Sequence, residues 1–231
     1  SSVRKGTDIL IKSFYKLTGK KKLIIHSQVD LTTELPSLKN IINEMVSGGL
    51  LEIINMSVSA PGLYHLGDVY VYPSRLEGIG LTICEALACG LPVITSNNQP
   101  MNEFIDSNNG KLVAISKFEE RSDGYYWPQC EVSEESLVEE MQYYVNNFNL
   151  ISEFKYSARK SAEEKFDWHK NSLNVPEIFA TSKKLTCESK IINDIINFED
   201  KRATFAAKIY KKFPFLFKPF DWFWPIIKRM Y

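Results

Sequence analysis

Through its first half the chain alternates short apolar runs with stretches of helical spacing. Apolar residues at 10, 11, 14 and 17 predict a helix over 7–17. Residues 22–25 form a compact apolar run that predicts a buried strand. A second helix is predicted over 37–45, stopped by Gly48-Gly49, and a second strand over 51–54. A short helix over 61–66 then leads into a strand over 68–72. The helix predicted over 81–89 ends at Gly90, and a strand over 92–95 follows. A helical turn over 100–105 and a fifth strand over 111–113 complete the series. Short, continuously apolar strands separated by helices point to an α/β fold, a Rossmann-like parallel sheet with helices on both faces.

After residue 116 the pattern changes. Residues 117–132 are polar and acidic and are expected to form a loop. Ser133 is placed to cap a helix with Glu134 and Glu135 in its first turn, where the helix dipole favours acids. The apolar residues of this helix, 137, 138, 141, 145 and 148, are expected in the core with its neighbouring aromatics. Another helix is expected over 152–166, and helical segments over 168–210. This divides the chain into a domain of residues 1–180 and a helical, aromatic-basic C-terminal extension of residues 181–231.

Candidate chemistry concentrates between Tyr72 and Ile94. There a strand ends at Tyr72, a loop carries Gly78 and Gly80, and a helix begins near Gly80. Ligands of open parallel sheets bind beyond the carboxyl ends of the strands, so this loop faces a binding crevice. The two glycines allow close backbone approach, and the unpaired N–H groups of a helix start suit an anion such as a diphosphate. Two carboxylates, Glu77 and Glu85, flank the site in a Glu-x7-Glu arrangement. Glu85 lies roughly 7 Å along the helix at 1.5 Å per residue. An ionised carboxylate accepts from two hydroxyl donors, which the vicinal diols of sugars and ribose provide. A diphosphate between two such carboxylates describes a nucleotide sugar.

The stretch from Asp68 to Thr95, within a pattern running from about Arg4 to Val113, resembles the donor-binding, C-terminal half of retaining GT-B-fold glycosyltransferases of family 4, the group 1 glycosyl transferases. The resemblance implies that Glu77 contacts the donor sugar as the catalytic-site carboxylate and that Glu85 holds the ribose hydroxyls. It implies that the amides of Gly78, Ile79, Gly80 and Leu81 hold the diphosphate. Lys5-Gly6 matches a family Lys-Gly whose lysine binds phosphate, Ser74 stands at the mouth of the crevice, and Arg75 beside it is a weaker phosphate candidate. Glu103 aligns with a further donor-contacting glutamate. Three departures stand out. The family's Gly-Arg ahead of Lys-Gly is absent, Asn97-Asn98 replaces its Gly-Gly, and its acceptor-binding N-terminal domain is missing. The expected activity is transfer of a sugar from a nucleotide-sugar donor to a glycan or lipid-linked acceptor with retention, with this chain alone inactive. The alternatives are a noncatalytic nucleotide-sugar-binding module and a membrane-surface adaptor.

Charge refines the picture at the end of the chain. Overall, 28 Lys+Arg balance 28 Asp+Glu, which argues against nucleic acid as a partner. Residues 208–231, however, hold six bases, one acid and nine aromatics. That composition suits either an anionic membrane surface or packing against protein. No cofactor or metal is expected: the chain has no Asp-x-Asp, and its three histidines do not cluster. The four cysteines show no metal-ligand spacing and fit buried thiols in a reducing compartment. No apolar h-region opens the chain and no run of 18 apolar residues occurs, so the expected location is the cytoplasm, at the inner membrane face if the tail binds lipid. The missing initiator Met fits a piece of a longer chain.

Overall fold

The computed structural model describes residues 3–120, 127–183 and 189–202. It divides into two compact units, Ser1–Leu173 and Asn174–Tyr231. The first unit opens with α1 (Thr7–Lys16), β1 (Leu23–His26), α2 (Leu31–Glu34), α3 (Lys39–Ser47) and β2 (Leu51–Ile54). It continues with β3 (Tyr70–Tyr72), α4 (Leu81–Ala88), β4 (Val93–Ser96) and β5 (Gly110–Val113). Then come β6 (Ile115–Glu120), β7 (Pro128–Val132), α5 (Glu134–Asn146), α6 (Ile151–Lys165) and α7 (Trp168–Ser172). The second unit holds α8 (Val175–Thr181) and α9 (Ser189–Arg202).

The α/β expectation is met. β1 pairs in parallel with β2, and β3, β4 and β5 form a parallel ladder in that order. Helices cover both faces, as the alternation along β4 shows. Ile94 joins one buried cluster with Leu23, Leu51 and residues of α1, α3 and α5. Its neighbour Val93 joins the other, with Ile83, Ala86 and Leu87 of α4 and Ala158 and Ala162 of α6. Successive side chains of a strand point to opposite faces, so one strand serves two cores.

Four expectations are corrected. Residues 117–132 are not a loop: β6 and β7 pair as an antiparallel hairpin, with Phe118 opposite Cys130. Ser116 to Glu120 are exposed, so they carry no apolar period by which a strand could be read. A short helix, α2, was not foreseen; Asp30 caps it by accepting from the Thr32 amide at 2.9 Å. Phe148, expected in the core of α5, falls in the 3-10 turn Phe148–Leu150 and is exposed, as Tyr143 is in part, while Leu137, Met141 and Tyr144 are buried. Of the three cysteines described, only Cys130 is buried; Cys84 is half-buried and Cys89 exposed. Ser133 does cap α5, accepting from the Ser136 amide at 3.2 Å. Among the described residues no helix is long and apolar enough to cross a membrane. The aromatic-basic tail over 208–231 lies outside the described residues.

Candidate functional site

Two segments distant in sequence meet at the carboxyl end of β3. The first is Arg4-Lys5-Gly6, which leads into α1; the second is the Ser74–Gly80 loop, which leads into α4. Gly6 makes the meeting possible. Its φ is +73°, and a Cβ there would stand 2.1 Å from the Pro73 carbonyl oxygen. The backbones are stitched by the Arg75 amide donating to the Arg4 carbonyl at 2.9 Å, with Ser74 Oγ 3.3 Å from the same carbonyl. Gly80, at φ +85°, turns the chain into α4, whose first turn no side chain caps. A Cβ on Gly78 would meet nothing within 4 Å, so that face of the loop is open.

Glu77 is the hub. Its side chain is 10% exposed, and its Oε1 accepts from Lys5 Nζ at 2.6 Å, Tyr72 Oη at 2.6 Å and Ser74 Oγ at 2.7 Å. Arg4 Nη1 stands 3.4 Å from the same oxygen and donates to the Leu76 carbonyl at 2.6 Å. Lys5 also donates to Tyr72 Oη, and its ammonium lies 5.0 Å from the centre of that ring. Burial pushes the Glu77 carboxyl up. The hydrogen bonds from Lys5, Tyr72 and Ser74 and the charge of Lys5 outweigh it, so the group sits below its ordinary value and is ionised.

Glu85 lies one turn into α4 with its side chain exposed, and its Oε2 accepts from Tyr64 Oη at 2.7 Å. Ile79 and Leu81 place exposed apolar side chains on either side of Gly80. The structure thus brings Lys5, Ser74 and Glu77 into one cluster and sets Gly78 to Leu81 and Glu85 along the loop and helix that follow it.

Two expected residues stand apart from the cluster. Glu103 lies on the 3-10 turn Met101–Phe104 with an exposed side chain and makes no bond to Glu77 or Glu85. Arg75 is buried and turned to α1: it pairs with both Asp8 oxygens, at 2.7 and 2.9 Å, and reaches Glu131 of β7 at 3.4 Å. It also donates to the Val3 carbonyl. Burial lowers the Arg75 pKa, but Asp8 and Glu131 more than offset this, so the charge is held firmly. Sequence reasoning passed over Arg4, Tyr72 and Tyr64. Arg4 had a signal in its place beside Lys5; the tyrosines had none, because their partners are set by the strand-to-helix geometry. Among the described residues no cluster of His, Cys, Asp or Glu could hold a metal ion.

These features define a Rossmann-like α/β domain with a charged loop at the carboxyl end of a central strand, the fold of the C-terminal half of GT-B enzymes. Comparison with known proteins carries the assignment further. The chain belongs to the glycosyl transferases group 1 family, whose model matches residues 1–123. It is 27% identical over 171 residues to an uncharacterized glycosyltransferase of Sulfolobus islandicus rod-shaped virus 1, covering 70% of this chain and 48% of that protein. It is 47% identical over 45 residues to the O-antigen chain mannosyltransferase B of Escherichia coli, covering 20% of this chain and 12% of that one. The chain spans less than half the length of these curated relatives. Among solved structures it is similar to Anabaena HepE in complex with UDP and glucose, with a TM-score of 0.61 at 17% identity over 79% of this chain and 46% of that one. It is also similar to the C-terminal domain of LpcC from Francisella tularensis, with a TM-score of 0.55 at 17% identity over 72% and 82% of the two chains. At these identities the structural likeness is one of fold.

Proposed function

We propose that the chain is the donor-binding half of a retaining glycosyltransferase that takes a nucleotide sugar and passes its glycosyl group to a glycan or lipid-linked acceptor. The observation that carries the reading is the Lys5–Tyr72–Glu77–Ser74 cluster beside the uncapped start of α4. The complex of HepE with UDP and glucose supports a nucleotide-sugar donor. In this reading Lys5, with Arg4 beside it, and the amides of Gly78 to Leu81 take the diphosphate. Glu85 takes the ribose hydroxyls, and Glu77 and Glu103 take hydroxyls of the donor sugar. Arg75 braces the loop from behind through Asp8 and touches no phosphate.

The chemistry is then largely electrostatic. As the bond from the anomeric carbon to the diphosphate oxygen breaks, negative charge grows on the departing nucleoside diphosphate. Lys5 and the helix start stabilise that charge in place; the acceptor hydroxyl oxygen bonds to the anomeric carbon as its proton passes to the departing diphosphate oxygen. No metal enters this scheme. Acceptor binding falls to a second domain outside this chain, so the chain alone does not transfer sugar. The six bases and nine aromatics of residues 208–231 suit two partners, an anionic membrane surface or packing against protein.

A thermal-shift panel of UDP-, GDP-, ADP- and CDP-sugars tests the reading, because a ligand of the native state raises its stability by mass action. One nucleotide family should raise the melting temperature, and Glu85→Ala should weaken that ligand by about 1–3 kcal/mol, the worth of a charge-assisted hydrogen bond. Silence across the whole panel overturns the reading.

A further inference from the structure

Three tyrosines run between the two site carboxylates. Tyr70 and Tyr72 lie two residues apart on β3 and so share a face, with rings stacked at 5.6 Å and 19°. Tyr64, on the 3-10 turn Tyr64–Leu66, meets Tyr70 edge-on at 5.6 Å and 71°. A carboxylate is bound at each end of the row. Tyr72 donates to Glu77 at 2.6 Å, and Tyr64 donates to Glu85 at 2.7 Å. At both ends only one oxygen is used. All four donors at Glu77 converge on Oε1, and Tyr64 takes Oε2 of Glu85. Among the described residues no hydrogen bond reaches the other oxygen of either carboxylate.

We propose that the row Tyr64–Tyr70–Tyr72 is a positioning device: it fixes one oxygen of Glu77 and one of Glu85 and presents the other two, at a set separation, to the two ends of a nucleotide sugar. The proposal rests on the donor reading above and deepens it. A glutamate side chain left free loses rotamer freedom when a ligand fixes it; one already held by a stacked aromatic row loses little, and affinity rises accordingly. Stacked rings are stiff because they turn about only two side-chain torsions. The hydroxyls keep their protons, and so remain donors: burial first, and then the facing carboxylate, pushes both Tyr72 and Tyr64 well above the usual tyrosine value. Tyr72 has a second task. It accepts from Lys5 while donating to Glu77, so one hydroxyl orders the cation and the carboxylate together.

The test uses Tyr64→Phe and Tyr72→Phe in the full chain, which keep the rings and remove only the hydroxyls. Each is titrated by calorimetry with the nucleoside diphosphate and the nucleotide sugar, chosen among the UDP, GDP, ADP and CDP pairs, that bind the wild type. Tyr64→Phe should weaken both ligands alike, by about fivefold to tenfold, one hydrogen bond's worth. Tyr72→Phe should weaken the nucleotide sugar more than the diphosphate. It should also move the acid limb of sugar binding to higher pH, since Glu77 has lost a donor that lowered its pKa. Without ligand, Tyr64→Phe should melt near the wild type, since Glu85 is exposed, while Tyr72→Phe should melt somewhat lower, having removed a donor from a nearly buried carboxylate. Should Tyr72→Phe not fold, a double-mutant cycle between Tyr64→Phe and Glu85→Gln decides, and additive losses there overturn the proposal. Wild-type binding with both variants unchanged at every pH reduces the row to core packing. Absence of any binding by the wild type refutes the donor reading, and this inference falls with it.

Discussion

α1 and α9 have the same kind of sequence and opposite surroundings. Both place apolar residues along one face in helical spacing. In α1, Ile9, Leu10, Ile11 and Phe14 are buried, with α5 packed against the helix. In α9, Ile191, Ile192, Ile195 and Ile196 are each about half exposed. An amphipathic pattern therefore states that a helix has a face to bury, and says nothing of where the partner lies. Every residue of the candidate site belongs to the unit Ser1–Leu173, where the faces are matched.

Substitutions in the two units put numbers on that contrast. Leu137→Ala, at a fully buried position of α5, should cost about 2–5 kcal/mol in denaturant unfolding. Gly6→Ala should cost about 2–4 kcal/mol, combining a left-handed backbone penalty with the collision at Pro73. Asp8→Ala should cost about 2–3 kcal/mol, because it removes the two-pronged partner of the buried Arg75 guanidinium and leaves it Glu131 at 3.4 Å and the Val3 carbonyl. Ile195→Ala in α9 should stay within about 0.5 kcal/mol, since the residue is exposed and alanine is the better helix former. If Ile195→Ala proved as costly as Leu137→Ala, α9 would be packed in solution and the contrast would vanish.

A pH titration of stability sharpens the same comparison at the site itself. The folded pKa of Glu77 lies below its ordinary value of 4.5, so the unfolded chain binds more protons between the two values. The stabilisation from Glu77 is complete above the ordinary value and is lost as pH falls through the folded one. Glu77→Gln should flatten that part of the acid limb of chemical denaturation. An unchanged limb would place the acid sensitivity on other carboxylates.

Much of this arrangement was legible in the sequence because local chemistry dictated it. The strand over 51–54 was bounded correctly, since an apolar run after Gly48-Gly49 leaves little choice. Ser133 announced α5 through its own capping oxygen and the acids behind it. Glu77 and Glu85 were legible as candidates through the spacing of one loop and the helix after it, Ser74 through its place at the end of the strand, and Lys5 through the resemblance of Lys5-Gly6 to the group 1 family. The β6–β7 hairpin was not, because β6 faces water and so lacks an apolar alternation. Neither was the turning of Arg75 toward Asp8, a contact between residues 67 positions apart that no local spacing encodes.

That last contact has a consequence for how the protein is made. Arg75 joins Val3 and Asp8 from the start of the chain to Glu131, while its own carbonyl receives the Cys130 amide at 3.0 Å. Loops of this length must close before any of these bonds forms. During synthesis, Lys5 and Glu77 therefore leave the ribosome long before the strand that completes their brace. The charged cluster gains its full support only after residue 131 has emerged, so its competence is acquired late and all at once. In the finished protein, the amides of Arg75 and Cys130 should exchange with solvent only when the whole unit opens.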